Sequence, residues 1–221
     1  MHYQQIKAHV HALSQKCGRN PDEIKIVAVS KGQPLEKIQS VYAAGCLDFG
    51  ESRIQEAEKK RESLPVNIQW HLIGSLQKNK VRKAIGKFSL IHSIDSLELF
   101  EKVASCSSEM GVITSLLLEV NITGEKSKIG FSPSQCLRLF GEMQKLPGIK
   151  IEGLMTMAPL GEDERVIRTC FKELYRLHRD LQQGCQPFHP FKHLSMGMSQ
   201  DYPIAIEEGA TLLRIGTAIF Q

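Results

Sequence analysis

Short apolar runs, rich in branched side chains, recur along this chain. Longer stretches separate them, in which apolar residues return every three or four positions. The runs are Ile24–Ser30, Leu47–Gly50, Ile68–Ile73, Leu90–Ser93, Thr114–Asn121, Ile149–Met155, Phe191–Leu194 and Thr211–Ile215. Runs that are apolar on both faces read as parallel strands covered on either side. The intervening stretches read as helices: Leu35–Ala44, Arg53–Ser63, Leu76–Ile85, Leu97–Met110, Pro133–Lys145, Glu164–Gln182 and Asp201–Glu208. Pro133 follows a capping-type Ser132, which fits a helix start. Met1–Lys16 adds one helix before the first strand.

Strands alternating with helices imply a parallel sheet with right-handed crossovers. Eight such strands in 221 residues fit one α/β domain over residues 1–221. Its expected form is a single (β/α)₈ TIM-type barrel with an extra N-terminal helix. An open doubly wound sheet would call for GxGxxG after the first strand, where this chain has Ser30-Lys31-Gly32. The residues after Ile215 leave no room for an eighth crossover helix, so the N-terminal helix is expected to cover that part of the barrel.

Composition narrows the class. Apolar residues make up 42% and charged residues 24%, enough for a sizeable core with an ordinary polar surface. The net charge of +4 is small and spread along the chain, so no nucleic-acid partner is expected. The six cysteines form no CxxC pair, which removes the main support for zinc-finger and thioredoxin readings. The N-terminus lacks an apolar signal core, and no apolar run reaches membrane-spanning length. A reduced, cytoplasmic protein without a membrane partner is expected.

In a barrel of this kind the strands' C-terminal ends form the ligand mouth. Those ends carry Lys31, Glu51-Ser52-Arg53, Gly74-Ser75, His92 and Asp95, Asn121, Thr156, Ser195-Met196-Gly197 and Arg214-Ile215-Gly216-Thr217. Lys31 is the sharpest position. In a dry mouth, desolvation would lower its pKa and leave a neutral amine able to attack an aldehyde. A lysine snorkelling to solvent from a strand end explains the position equally well. Gly216 and Thr217 follow the last strand, where backbone N–H groups and a hydroxyl suit a phosphate; glycines that merely make turns explain each loop taken singly, and two such loops on adjacent strands favour the phosphate. Ser195 is expected to complete that cup, and the helix near Asp201 to add dipole stabilisation. Arg214 is expected on the same rim, either facing a ring nitrogen or in a salt bridge within the barrel wall.

Other features carry less. The basic cluster Gln77–Lys83 reads as a solvated helix face. The loop Gly124–Gly130 reads as a lid or as an ordinary surface loop. His189 and His193 lack the further ligands a metal site needs. Trp70 reads as core, and Glu119 as a buried carboxylate filling the barrel interior.

The chain resembles the pyridoxal phosphate homeostasis protein family almost end to end. The matching stretches are VAVSK at 27–31, FGESRIQE at 49–56, WHLIGSLQKNK at 70–80 and IHSIDS at 91–96. VNITGEKSKIGF at 120–131, GLMTMAP at 153–159, LSMGMSQD at 194–201 and RIGTAIF at 214–220 continue the match. The resemblance implies a barrel like the N-terminal domain of alanine racemase that holds pyridoxal 5′-phosphate (PLP) as a Schiff base on Lys31. It further implies Ser195, Gly216 and Thr217 at the phosphate and Arg214 near the ring nitrogen. Ser52 stands where the family carries an amide side chain, FGENR, and is a candidate contact to the cofactor. The few residues that usually follow RIGTAIFG are absent.

A cofactor buffer or carrier without turnover is the expected function, with apo-enzymes that require PLP as candidate acceptors and a monomer as the expected state. Racemases of this fold add a second, β-rich domain, and nothing in this chain is left to build one. A small PLP-dependent amino-acid racemase is the first alternative, and it would need a second acid/base opposite Lys31. A cofactor-free Schiff-base aldolase and a regulatory partner with PLP as its signal are the others.

Overall fold

The computed structural model describes residues 2–125, 129–159, 161–185 and 191–221. His189 and the centre of the Gly124–Gly130 loop lie outside them. The chain runs α1 (His2–Lys16), β1 (Lys25–Val29), α2 (Leu35–Ala43), β2 (Asp48–Glu51), α3 (Ile54–Arg61) and β3 (Gln69–Leu72). It continues with α4 (Val81–Ala84), β4 (Leu90–Ile94), α5 (Leu97–Glu109), β5 (Thr114–Glu119), α6 (Pro133–Met143) and β6 (Ile149–Met155). Last come α7 (Glu164–Gln183), β7 (His193–Ser195), α8 (Tyr202–Glu207), β8 (Leu212–Ile215) and α9 (Thr217–Phe220).

The eight strands form a closed parallel barrel in chain order, with β8 paired back onto β1. The expected TIM-type barrel is therefore the observed one. Successive strand residues face opposite sides. Leu90, Leu117, Met155 and Leu212 form an apolar cluster of their own. Their strand neighbours Ile91, Leu116, Leu118, Leu154 and Leu213 instead join the larger core against the helices. The smaller cluster therefore fills the barrel interior. Two residues further along the same strands stand His92, Glu119 and Arg214, all buried. The upper half of the interior is accordingly polar.

Local sequence accounts for several details. Ser132 and Gln135 close a capping box at α6: Gln135 N–H donates to Ser132 Oγ at 3.2 Å, and Ser132 N–H to Gln135 Oε1 at 2.8 Å. Gly153 (φ +153°) lets β6 approach β7, since a Cβ there would lie 1.9 Å from the His193 carbonyl oxygen.

Two expectations need correction. The stretch Leu76–Ile85 is not one helix: Lys78–Lys80 form a 3₁₀ turn before the four-residue α4. Only Val81 and Ala84 within α4 are buried, so this segment has little apolar face to extend it. The chain also does form helix after β8. Gly216 O accepts from Ile219 and Phe220 N–H, and both side chains are buried, which closes the single turn α9. The N-terminal helix covers this region as expected. His9 Nδ1 lies 2.6 Å from the Tyr202 hydroxyl, and Arg19, just beyond α1, donates to the Ile206 carbonyl at 2.8 Å.

Among the described residues, no helix is long and apolar enough to cross a membrane, and no group of three or more His, Cys, Asp or Glu could hold a metal ion. No disulfide joins any of the six cysteines among the described residues.

Candidate functional site

The β1–β8 register sets the rim. Ala28 pairs with Ile215, so Val29 comes against Gly216. A Cβ on Gly216 would lie 3.3 Å from Val29 Cβ and 3.4 Å from its carbonyl oxygen. Lys31 and Thr217 thus leave neighbouring strand ends, and both are exposed. This corrects the expected desolvated amine: Lys31 stands at an open mouth, not in a dry one. Of the two readings of its position, the solvent-facing one describes the side chain here.

What fixes Lys31 lies just beneath it. Lys60, from α3, donates to the Ser30 carbonyl at 2.7 Å and to Glu51 Oε1 at 2.5 Å. The Ser30 hydroxyl donates to the same carboxylate oxygen at 2.6 Å. Glu51 is fully buried, and its Oε2 has no hydrogen-bond partner among the described residues. This clamp joins the ends of β1 and β2 and holds the carbonyl that immediately precedes Lys31. Ser52 is half-buried beside it. Gly74 packs on the Ser52 backbone so closely that a Cβ would lie 2.3 Å from Ser52 O. Ser52 therefore has a fixed backbone on the same rim.

Gly216 caps α9 without a side-chain bond. Ala218 N–H donates to Ser199 Oγ at 3.3 Å, joining the loop after β7 to the turn after β8. Ser199 is half-buried and belongs to the same LSMGMS stretch as Ser195. Sequence reasoning passed over it, although its place in the loop after β7 was the available signal. Gly197 (φ +90°) provides the left-handed turn in that loop, where a Cβ would lie 2.6 Å from Ala205 Cβ. Asp201 braces the loop by accepting from Met198 N–H at 2.5 Å. Its buried carboxyl stands at the N-terminus of α8. That position holds an acidic group of the protein's own, so the expected dipole contribution of α8 to a bound anion loses its support.

Ser195 lies deeper than expected. It is fully buried, and its hydroxyl is engaged inward. Arg214 Nη1 donates to Ser195 Oγ at 2.5 Å, and Nη2 donates to the Thr156 carbonyl at 2.9 Å. Arg214 has no carboxylate within salt-bridge distance among the described residues, which removes the barrel-wall salt bridge. Burial pulls its pKa down to about 10, against the raising influence of Asp201 and Glu119, so it remains a cation at neutral pH. Burial and the nearby Asp95 push the Glu119 carboxyl up to about 7, with Arg214 opposing them.

The inward side of Ser195 leads to two residues that sequence reasoning did not connect. His92 Nδ1 lies 2.8 Å from Ser195 Oγ. His92 Nε2 lies 2.9 Å from His71 Nδ1, and His71 Nε2 lies 3.0 Å from Asp48 Oδ1. Burial, then the charges of His71, Arg214 and His193, hold the His92 ring neutral.

The match to known proteins is extensive. Residues 1–221 match the family described as alanine racemase, N-terminal domain. A curated relative from Aquifex aeolicus named pyridoxal phosphate homeostasis protein is 38% identical, covering 97% of this chain and 94% of its own. The chain belongs to the pyridoxal phosphate homeostasis protein family. PipY of Synechococcus elongatus, a solved structure with PLP bound, superposes with a TM-score of 0.83 at 37% identity, covering 96% of this chain and 99% of that one. An alanine racemase of Clostridium difficile shares the fold alone. It is 16% identical with a TM-score of 0.73, and the match covers 96% of this chain but 56% of the racemase.

Proposed function

We propose that this chain binds pyridoxal 5′-phosphate at the C-terminal rim of the barrel and serves its homeostasis by holding and releasing it. Lys31 is the amine through which the cofactor is held. Thr217 and the Gly216 backbone receive the phosphate together with Ser195 at the end of β7 and Ser199 in the loop after it. Arg214 faces the ring nitrogen, and Ser52 borders the ring. The pairing of β1 with β8 carries this reading, because it makes the lysine strand and the phosphate turn neighbours. The residues present fit the group: an accessible amine, rim hydroxyls, and a buried guanidinium with no carboxylate at salt-bridge distance among the described residues. The names of the relatives and the cofactor in PipY support the same reading.

Bound there, PLP supplies an electrophilic carbonyl for reversible chemistry with amines. The protein's residues favour holding over turnover. A cation beside the ring nitrogen disfavours its protonation and makes the ring a weaker electron sink. An open mouth admits water and acceptors, which suits transfer to apo-enzymes better than stereospecific catalysis. The four tyrosines are engaged elsewhere: Tyr202 with His9, Tyr42 with Asn67, Tyr175 beside Arg179, and Tyr3 buried near Cys46. None supplies a second acid/base opposite Lys31. The chain is expected to work as a monomer in the cytoplasm.

Titration of the purified chain with PLP tests the reading. One bound cofactor per chain, with a visible absorbance band, supports it, and an absence of binding refutes it. Incubation with L-alanine in deuterated water separates carrier from racemase. Sustained α-proton exchange at enzymatic rates would favour the racemase.

A further inference from the structure

We propose that the chain Asp48–His71–His92–Ser195 couples anion binding at the barrel mouth to the uptake of one proton at the opposite end of the barrel. The inference rests on the cofactor site proposed above and deepens it. His71 and His92 act as positioning residues that work through Ser195.

The direction of every hydrogen bond in this chain follows from one end. Asp48 is the first residue of β2, at the barrel's N-terminal end. Burial opposes ionisation of its carboxyl, but the hydrogen bond from His71, with Lys25 nearby, holds its pKa below the usual range. An ionised carboxylate only accepts, so His71 donates from Nε2. With its single ring hydrogen on Nε2, His71 accepts at Nδ1, and His92 donates from Nε2. A neutral His92 accepts at Nδ1, so the Ser195 hydroxyl donates to it. Arg214 meanwhile donates to Ser195 Oγ. The single Ser195 hydrogen thus points into the barrel, away from the mouth.

For Ser195 to donate to an anion in the mouth, the whole chain must reverse. His92 must carry its hydrogen on Nδ1 and donate to Ser195 Oγ. Its Nε2 must then accept from a hydrogen on His71 Nδ1. His71 Nε2–H still faces Asp48, so His71 becomes an imidazolium. Counting hydrogens before and after, the reversed chain holds one more, taken from solvent. Its charge comes to rest beside the Asp48 carboxylate.

The surroundings favour that resting place. His92 faces His71, Arg214 and His193, and burial, with the Arg214 cation beside it, keeps it neutral. Asp48 also faces Lys25, whose Nζ lies 4.0 Å away and is largely exposed. His193 faces Glu152, with Nε2 at 3.6 Å from Oε2, and burial keeps it neutral with a pKa near 4. Glu119 and Asp201 face Arg214 at the mouth end. The carboxylate in contact with the chain lies at its far end.

Pyridoxamine 5′-phosphate is the probe, because it keeps the ring and phosphate but has no aldehyde to condense with Lys31. Calorimetry of the full chain at pH 8, in two buffers of different protonation enthalpy, reads the protons taken up. Arg214 displaces the ring-nitrogen proton of the probe in wild type and in Asp48→Asn alike, so the relay is read as a difference. The wild type should take up about one proton more per bound ligand than the variant, and its affinity should fall about tenfold more per pH unit around pH 8. Nitrogen-15 NMR should show His92 passing from the Nε2–H to the Nδ1–H tautomer on binding. In Asp48→Asn the amide can donate to His71, and the chain reverses with no added charge. Binding should then persist with about one proton less taken up than in the wild type. Equal proton uptake by wild type and Asp48→Asn, with an unchanged His92 tautomer on binding, would overturn the relay while leaving the cofactor site intact. It would assign the phosphate to Ser199, Gly216 and Thr217. Failure of the probe to bind at all would refute the site itself. The His92 tautomer in the wild type decides the matter if Asp48→Asn does not fold.

Discussion

Gly216 sits against Val29 so closely that one added carbon would lie 3.3 Å from Val29 Cβ. This contact is where the last strand of the barrel meets the first, and it sets the phosphate turn beside the strand that ends at Lys31. Gly216→Ala must move the turn away from β1 by a few tenths of an ångström. PLP affinity should weaken by roughly 1 kcal/mol, the size of one net hydrogen bond. Equilibrium titration checks this. An unchanged dissociation constant would mean that the close approach is not needed for binding.

Thr217→Ala and Ser199→Ala should each weaken PLP by about 0.5–1.5 kcal/mol, or more if the lost bond is charge-assisted. Ser195→Ala should also lower stability, because it leaves buried groups on Arg214 and His92 without their partner. Paired titration and urea denaturation separate the two effects. A Ser195→Ala protein as stable as wild type would contradict the inward hydrogen bonding.

The clamp beneath Lys31 makes a prediction about stability. Lys60→Met leaves the Glu51 carboxylate buried without its cation, and breaking a buried pair in this way costs roughly 3 kcal/mol. The urea midpoint should fall accordingly. A change below about 0.5 kcal/mol, typical of surface substitutions, would show that the pair does not hold the strand ends.

Stability should fall as pH drops from about 6.5 to about 4. Burial, reinforced by neighbouring cations, pushes His178 and His193 down to about 4 from an ordinary 6.5, and holds His92 well below that value. In this window the unfolded chain binds protons that the folded chain refuses. Each histidine therefore contributes a loss of up to about 1.4 kcal/mol per pH unit. Glu119 and Asp201, both raised by burial, act in the opposite sense, because folding favours their protonated forms. The three histidines outweigh the two carboxyls. Urea midpoints at pH 7 and pH 5 test the sign, and greater stability at pH 5 would contradict it.

The strand pattern was legible because buried parallel strands are written as local apolar runs. All eight runs became strands of the barrel. Helix lengths were less legible where the apolar face was thin, as at Val81–Ala84. The rim residues followed from strand order, since the fold fixes which end carries the ligand. The burial of individual rim side chains did not follow. Lys31 is exposed and Ser195 is fully buried, and both facts depend on how strands distant in sequence close over them. The relay was illegible for the same reason. His92 and Ser195 are 103 residues apart and meet only across the closed barrel. The Glu51–Lys60 clamp is closer in sequence, but it joins a strand to a helix whose relative placement no local pattern states.

Borohydride reduction of the PLP-loaded chain, followed by peptide mapping, tests the central claim most directly. The expected result is loss of the visible band and one modified residue, Lys31, with Lys31→Ala retaining the fold and showing neither band nor modification. Modification at Lys60 or another lysine, with Lys31 unlabelled, would contradict it.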